Sequence, residues 1–158
     1  MKQFIILTTL TALAVSAQAA GTVQVQFVQP DKFIDVYDAT FSRERNLEAL
    51  KQHLERAGAR VLADGQVLKI EILDVDLAGK TRPGARAEVV RVVDGKADWP
   101  RIDLRYTLES PGQAARTGQA SIKDMAYLQR VASSRPANEP LTYERRMLDD
   151  WFKAEFSR

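Results

Sequence analysis

Cysteine is absent from this chain, and histidine occurs once, at His53. The first absence excludes disulfides, thiol catalysis and thiolate metal sites, so the fold must rest on packing and hydrogen bonding. The second excludes every multi-histidine zinc site and leaves one imidazole for acid–base work. Charge of one sign is not in excess: 23 Lys and Arg stand against 21 Asp and Glu, interspersed along the chain. No basic patch marks a nucleic-acid partner. Glycine forms neither a Walker loop nor a dinucleotide fingerprint, so no cofactor is expected. Ser42, Ser110 and Ser121 lie in no nucleophile-elbow motif. Beyond the first twenty residues no hydrophobic run is long enough to span a bilayer.

What is present begins with an export signal. Lys2 supplies a positive start, the apolar run 4–15 is too short to span a membrane, and Ala17, Gln18 and Ala19 set small residues at a cleavage site. Residues 1–19 are read as a signal peptide cut after Ala19, with a cut after Ala20 as second choice. Residues 20–158 then form one domain. No cysteine follows the cut, so no lipid anchor is expected, and the mature protein is expected in the periplasm.

Val23, Val25 and Phe27 alternate with Gln24 and Gln26, the period of a half-buried strand, which Pro30 stops. Leu47, Leu50, Leu54 and Ala57 recur at helical spacing, with Thr40 or Ser42 as N-cap and Gly58 as C-cap. In 67–79, Leu68, Ile70 and Ile72 have one parity and Leu73, Val75 and Leu77 the other. A bulge near Ile72 and Leu73 reconciles them and turns Lys69, Glu71, Asp74 and Asp76 outward. Residues 80–86, containing Pro83 and Gly84, read as a loop, and 88–93 as a short strand. Ile102, Leu104, Tyr106 and Leu108 alternate with Arg101, Asp103, Arg105 and Thr107. The turn Ser110-Pro111-Gly112 folds this strand into 114–122, where Gly118 and Ala120 predict close approach by another element. After the connection 133–140, Tyr143, Met147, Leu148, Trp151, Phe152 and Phe156 form a helical stripe, destined for the core or for a partner's groove.

This order predicts an α+β two-layer sandwich. A mostly antiparallel sheet of about four to five strands carries two helices on one face, and a right-handed crossover through the first helix joins two parallel strands. The segments Asp74-Val75-Asp76-Leu77-Ala78-Gly79, Trp99-Pro100-Arg101-Ile102-Asp103-Leu104-Arg105-Tyr106 and Tyr143-Glu144-Arg145-Arg146-Met147-Leu148-Asp149-Asp150-Trp151-Phe152 resemble the exported bacterial family known as domain of unknown function 3016. The resemblance implies an exported Gram-negative protein of one compact domain. It brings no activity, substrate or catalytic residue with it.

Candidate chemistry centres on acidic groups. Asp74 and Asp76, projecting about 6 to 7 Å apart from one strand face, suit an acid and base or two ligands of a hard cation. The alternative is cross-strand pairing with Arg101 or Arg105. Asp31, Asp35 and Asp38 offer calcium ligands or, alternatively, turn formation and charge near a helix N-terminus. His53 reads as a surface or boundary residue. Trp99 and Tyr106 form an aromatic platform only if Tyr106 is not inward. Glu144, Arg145 and Arg146 read as a solvated face with local ion pairs. The leading expectation is a non-enzymatic periplasmic accessory domain that binds a protein or envelope component through its polar sheet face or a sheet edge, using Asp74, Asp76, Arg101, Asp103 and Arg105. The alternative is a small-molecule or metal-dependent enzyme built on the carboxylates around Asp74 and Asp76.

Overall fold

The computed structural model describes residues 20–37, 42–84, 89–129 and 141–156. The export segment 1–19, Asp38, Thr40 and the connection 133–140 lie outside the described residues. Along the chain the elements are β1 (Thr22–Phe27), α1 (Arg43–Ala59), β2 (Val67–Asp76), β3 (Lys80–Pro83), β4 (Val89–Val92), β5 (Arg101–Glu109), β6 (Arg116–Lys123) and α2 (Thr142–Phe156). A four-stranded sheet has the order β1-β2-β5-β6, and β3 and β4 form a separate hairpin. The β1 and β2 strands are parallel and are connected through α1, whereas β2, β5 and β6 pair antiparallel. The chain is therefore α+β with an open, mixed main sheet.

The side-chain pattern accounts for the strands. Ile102, Leu104 and Tyr106 of β5 are buried between less buried polar neighbours, as a period of two requires. In β2 the register shifts between Ile72 and Asp74, so Leu68, Ile70 and Ile72 point inward before the bulge and Val75 after it. Leu50, Leu54 and Ala57 of α1 join Met147, Leu148 and Phe152 of α2 in one core cluster with these sheet residues. Each fully buried aliphatic or aromatic side chain contributes about 1.5–3 kcal/mol, so the two helical stripes are major terms in stability.

Glycine matters at two close approaches. A Cβ on Gly118 would come within 2.5 Å of the Tyr106 ring across the β5 and β6 ladder. That ring packs edgewise on Trp151 and Phe156, and its hydroxyl donates to Glu155. Gly58 is not the C-cap expected of it: α1 continues through Ala59, and the Gly58 position abuts Val23 and Phe152. Its lack of a side chain serves packing between helix, strand and α2. Ser42 is the N-cap, accepting from the Arg45 N–H.

Three further expectations change. Residues 80–83 are a strand, because Lys80 to Pro83 pair in register with β4, and that hairpin stands apart from the main sheet. His53 is buried at 5% exposure, with Nε2 3.0 Å from both the Arg145 carbonyl and an Asp149 carboxylate oxygen. Since a carbonyl only accepts, Nε2 carries the proton there and ties α1 to α2. Glu144 is 3% exposed, no part of a solvated face, and accepts from the Ala78 N–H at 2.7 Å.

Candidate functional site

The register stacks the outward residues of β2, β5 and β6 into rows across the polar sheet face: Asp76, Arg101 and Lys123; Asp74, Asp103 and Ser121; Glu71, Arg105 and Gln119. All five residues singled out from the sequence, Asp74, Asp76, Arg101, Asp103 and Arg105, thus share this face. They do not share a task. Arg105 grips Glu71 through two hydrogen bonds of 2.5 and 3.1 Å, which holds the Glu71 carboxyl below its ordinary value and raises the guanidinium. Lys69 binds Glu109 at 2.5 Å. Arg101 binds Asp74 at 3.0 Å, and the other Asp74 oxygen accepts from the Ile34 N–H at 2.9 Å. Cross-strand pairing of Asp74 with Arg101 is the arrangement observed, while Arg105 is taken by Glu71.

Asp76 and Asp103 remain outside these pairs. Burial pushes the Asp76 carboxyl above its ordinary value; Arg101 and Arg91 oppose the rise, and the Asp35 and Asp74 charges add to it. One Asp103 oxygen is buried without a hydrogen-bond partner. Asp76 lines a cleft of about 610 Å³ with Ile34, Asp35, Lys80, Trp99 and Arg101. Backbone bonds from the Asp35 N–H to Val75 and from the Leu77 N–H to Asp35 extend the parallel pairing along this side of β2. Arg91 anchors Asp35 of this lining. Its guanidinium binds the Asp35 carboxylate at 2.7 Å and the carbonyls of Ala78 and Gly79 at 3.2 and 3.1 Å. Tyr106 is buried and forms no platform, whereas Trp99 reaches the cleft.

The acidic residues before α1 diverge: Asp31, 98% exposed at its side chain, lies 3.6 Å from Arg43, and Asp35 belongs to Arg91. Asp38 lies outside the described residues. Among the described residues, no group of three or more His, Asp or Glu side chains is arranged to hold a metal ion. No described helix is long and apolar enough to cross a membrane.

The sheet edge carries a second feature that sequence reasoning named only in general terms. β6 is the last strand of its sheet, and among the described residues no strand pairs with its outer side. The Asp124 N–H donates to the Pro100 carbonyl across the ladder. Antiparallel bonding alternates, so Gly118, Ala120 and Ile122 bond to β5 while Thr117, Gln119, Ser121 and Lys123 turn their N–H and C=O groups outward. Beside this edge, a groove of about 370 Å³ runs between β6 and α2, with Ile122, Met147, Trp151 and Ala154 as its apolar lining and Asp124 and Asp150 among its polar lining. Gly118, small in the sequence, marks the close approach of the Tyr106 ring and not this groove.

Fold and surface together define an open-sheet α+β domain with cross-strand ion pairs on its polar face and, among the described residues, outer edges at β1 and β6 that no strand pairs. The model of the family described as protein of unknown function (DUF3016) matches residues 21–154, and the chain belongs to that family. No curated protein and no solved structure matches it.

Proposed function

We propose that this protein is an exported periplasmic accessory domain, without catalysis of its own, that captures an extended segment of a partner protein by strand addition along β6. The outward N–H and C=O groups of Thr117, Gln119, Ser121 and Lys123 carry this reading. Such a row supplies main-chain hydrogen bonds to an incoming strand, and alternate side chains of that strand meet two different surfaces. One is the apolar groove against α2. The other is the polar face, where Arg101, Asp103 and Arg105 lie one strand behind the edge and Asp74 and Asp76 two strands behind. The mutual pairing of Arg105 with Glu71 and Arg101 with Asp74 favours the edge over the face alone as the point of attachment.

A photo-crosslinking residue at Ser121 in the native periplasm tests the reading. A recurrent protein adduct is expected, and Gln119→Pro should abolish it by removing one outward donor. An adduct that persists at full yield in the proline variant refutes strand addition.

A second reading follows from the Asp76 cleft. A carboxyl raised by burial, beside Asp35, Trp99 and Arg101, is the kind of group that acts on a small ligand. This reading expects a saturable ligand-induced rise in melting temperature that Asp76→Asn removes. A panel of metals, sugars and amino acids without any such rise counts against it.

A further inference from the structure

Resting on the strand-addition reading, we infer that the captured segment is acidic, with a carboxylate in register with Lys123. The row at this end of the sheet runs Asp76, Arg101, Lys123. Two cations stand directly opposite each other on neighbouring strands, an arrangement that costs stability unless an anion is near. Arg101 has its anion in Asp74 at 3.0 Å. Lys123 is exposed, forms no ion pair with a described residue, and stands on the strand whose outer side is unpaired among the described residues. A strand added there lies about 4.8 Å away, which brings the side chain opposite Lys123 onto the same polar face. A carboxylate at that position completes an alternation of charge that the row otherwise breaks.

A second copy of this chain does not meet the requirement. Only Thr117, Gln119, Ser121 and Lys123 direct their backbones outward, so an antiparallel copy pairs outward residues with outward residues. Lys123 would then face threonine, glutamine, serine or another lysine, because β6 has no carboxylate from Arg116 to Lys123. A carboxylate opposite Lys123 has to come from a segment other than β6 of a second copy, and the occupant we assign is a segment of another protein. Its residues opposite Ala120 and Ile122 hang over the groove lined by Trp151 and Ala154, which takes apolar side chains. The ligand class is an extended peptide that alternates acidic with apolar residues.

Fluorescence anisotropy with labelled eight-residue peptides tests this, using peptides that alternate valine with glutamate, with glutamine or with lysine. The glutamate peptide should bind the mature domain about two- to fivefold tighter than the glutamine peptide per pair formed, and the lysine peptide weakest. Lys123→Glu should reverse the order of glutamate and lysine peptides. Equal affinity for all three, lost in Gln119→Pro, overturns the acidic specificity and leaves strand addition standing. Absence of binding by every peptide, or binding indifferent to Gln119→Pro, overturns both.

Discussion

Proline substitution at two adjacent positions of β6 separates the edge that faces solvent from the edge that faces β5. At Ala120 the N–H bonds toward Leu104, whose position is fully buried. Ala120→Pro removes that donor and strands a buried carbonyl, at about 1–3 kcal/mol, and adds ring strain against the pleat. A total near 3 kcal/mol is a large fraction of the roughly 5–15 kcal/mol that holds a domain folded. At about 2–4 °C per kcal/mol for a domain of this size, the melting temperature should fall by roughly 10 °C. At Gln119 the N–H points outward, and proline is tolerated on such an edge. Gln119→Pro should therefore melt within about 3 °C of wild type, the residue being restrained in φ without loss of a ladder bond. Circular dichroism melts of both variants, with hydrogen exchange on the wild type, give the answer. The amides of Thr117, Gln119 and Ser121 should exchange fast, and those of Gly118, Ala120 and Ile122 slowly. Equal destabilisation by the two prolines, or protection at the odd positions, refutes the assignment of a free edge and the function built on it.

Three other outcomes follow from the packing. Gly118→Ala forces a methyl group against the Tyr106 ring, which Trp151, Phe156 and Glu155 hold in place, and should cost about 1–3 kcal/mol in urea denaturation. Burial raises the Glu144 carboxyl above its ordinary value of 4.5, although bonds from the Ala78 N–H and its own N–H and the Arg91 and Arg145 charges oppose the rise. Folding then takes up a proton between the unfolded and the folded pKa, so this group's contribution falls as pH rises through that window. Glu144→Gln keeps an acceptor for Ala78 and should be more stable relative to wild type at pH 7 than below pH 4, as denaturant midpoints at the two pH values would report; an unchanged difference would sink this assignment. Arg91→Met leaves the Asp35 carboxylate and the Ala78 and Gly79 carbonyls without their shared donor, and should cost about 3 kcal/mol. Exchange protection in β3 and β4 should drop further than in β5; uniform loss would show that Arg91 does not specifically secure the hairpin.

Periodicity explains which elements were legible. β5 alternates without interruption, α1 repeats leucine at helical spacing, and the clash of parities in β2 required a bulge that the register contains. β3 was not legible, because Lys80, Thr81, Arg82 and Pro83 include no aliphatic core residue and owe their extended form to pairing with β4. The information for that strand lies in Arg91, a single side chain reaching backbone carbonyls some twelve to fourteen positions away. His53 is buried although it reads as a boundary residue, because it stands three positions from Leu50 on the same helical face. Gly58 was misjudged because its spacing fits a cap as well as it fits a close contact, and only the positions of Val23 and Phe152 decide between them.

The surface was legible as composition but not as arrangement. Alternation sends Arg101, Asp103 and Arg105 outward, and with the bulge Asp74 and Asp76 too, yet their partners depend on strand order and register. Shifted by that bulge, Asp74 stands opposite Asp103 and Asp76 opposite Arg101, while the ion pair of Arg101 runs diagonally to Asp74. Although Asp76 stands directly opposite Arg101, the guanidinium's ion pair is with Asp74; Asp76 lies in a cleft with its carboxyl raised, and Arg101 turns toward β2, away from the neighbouring ammonium on β6. The row thus ends in a carboxyl whose charged form burial disfavours on β2 and in the exposed ammonium of Lys123 on β6. Deleting Leu73 should leave a regular ladder, with Ile72 opposite Leu104 and Asp74 opposite Asp103 as consecutive pairs, Asp76 still opposite Arg101, and Ile72 and Val75 both still inward. The bulge therefore accommodates Leu73 without altering the core register, and the placement of Lys123 beside Arg101 is set by the pairing of β5 with β6.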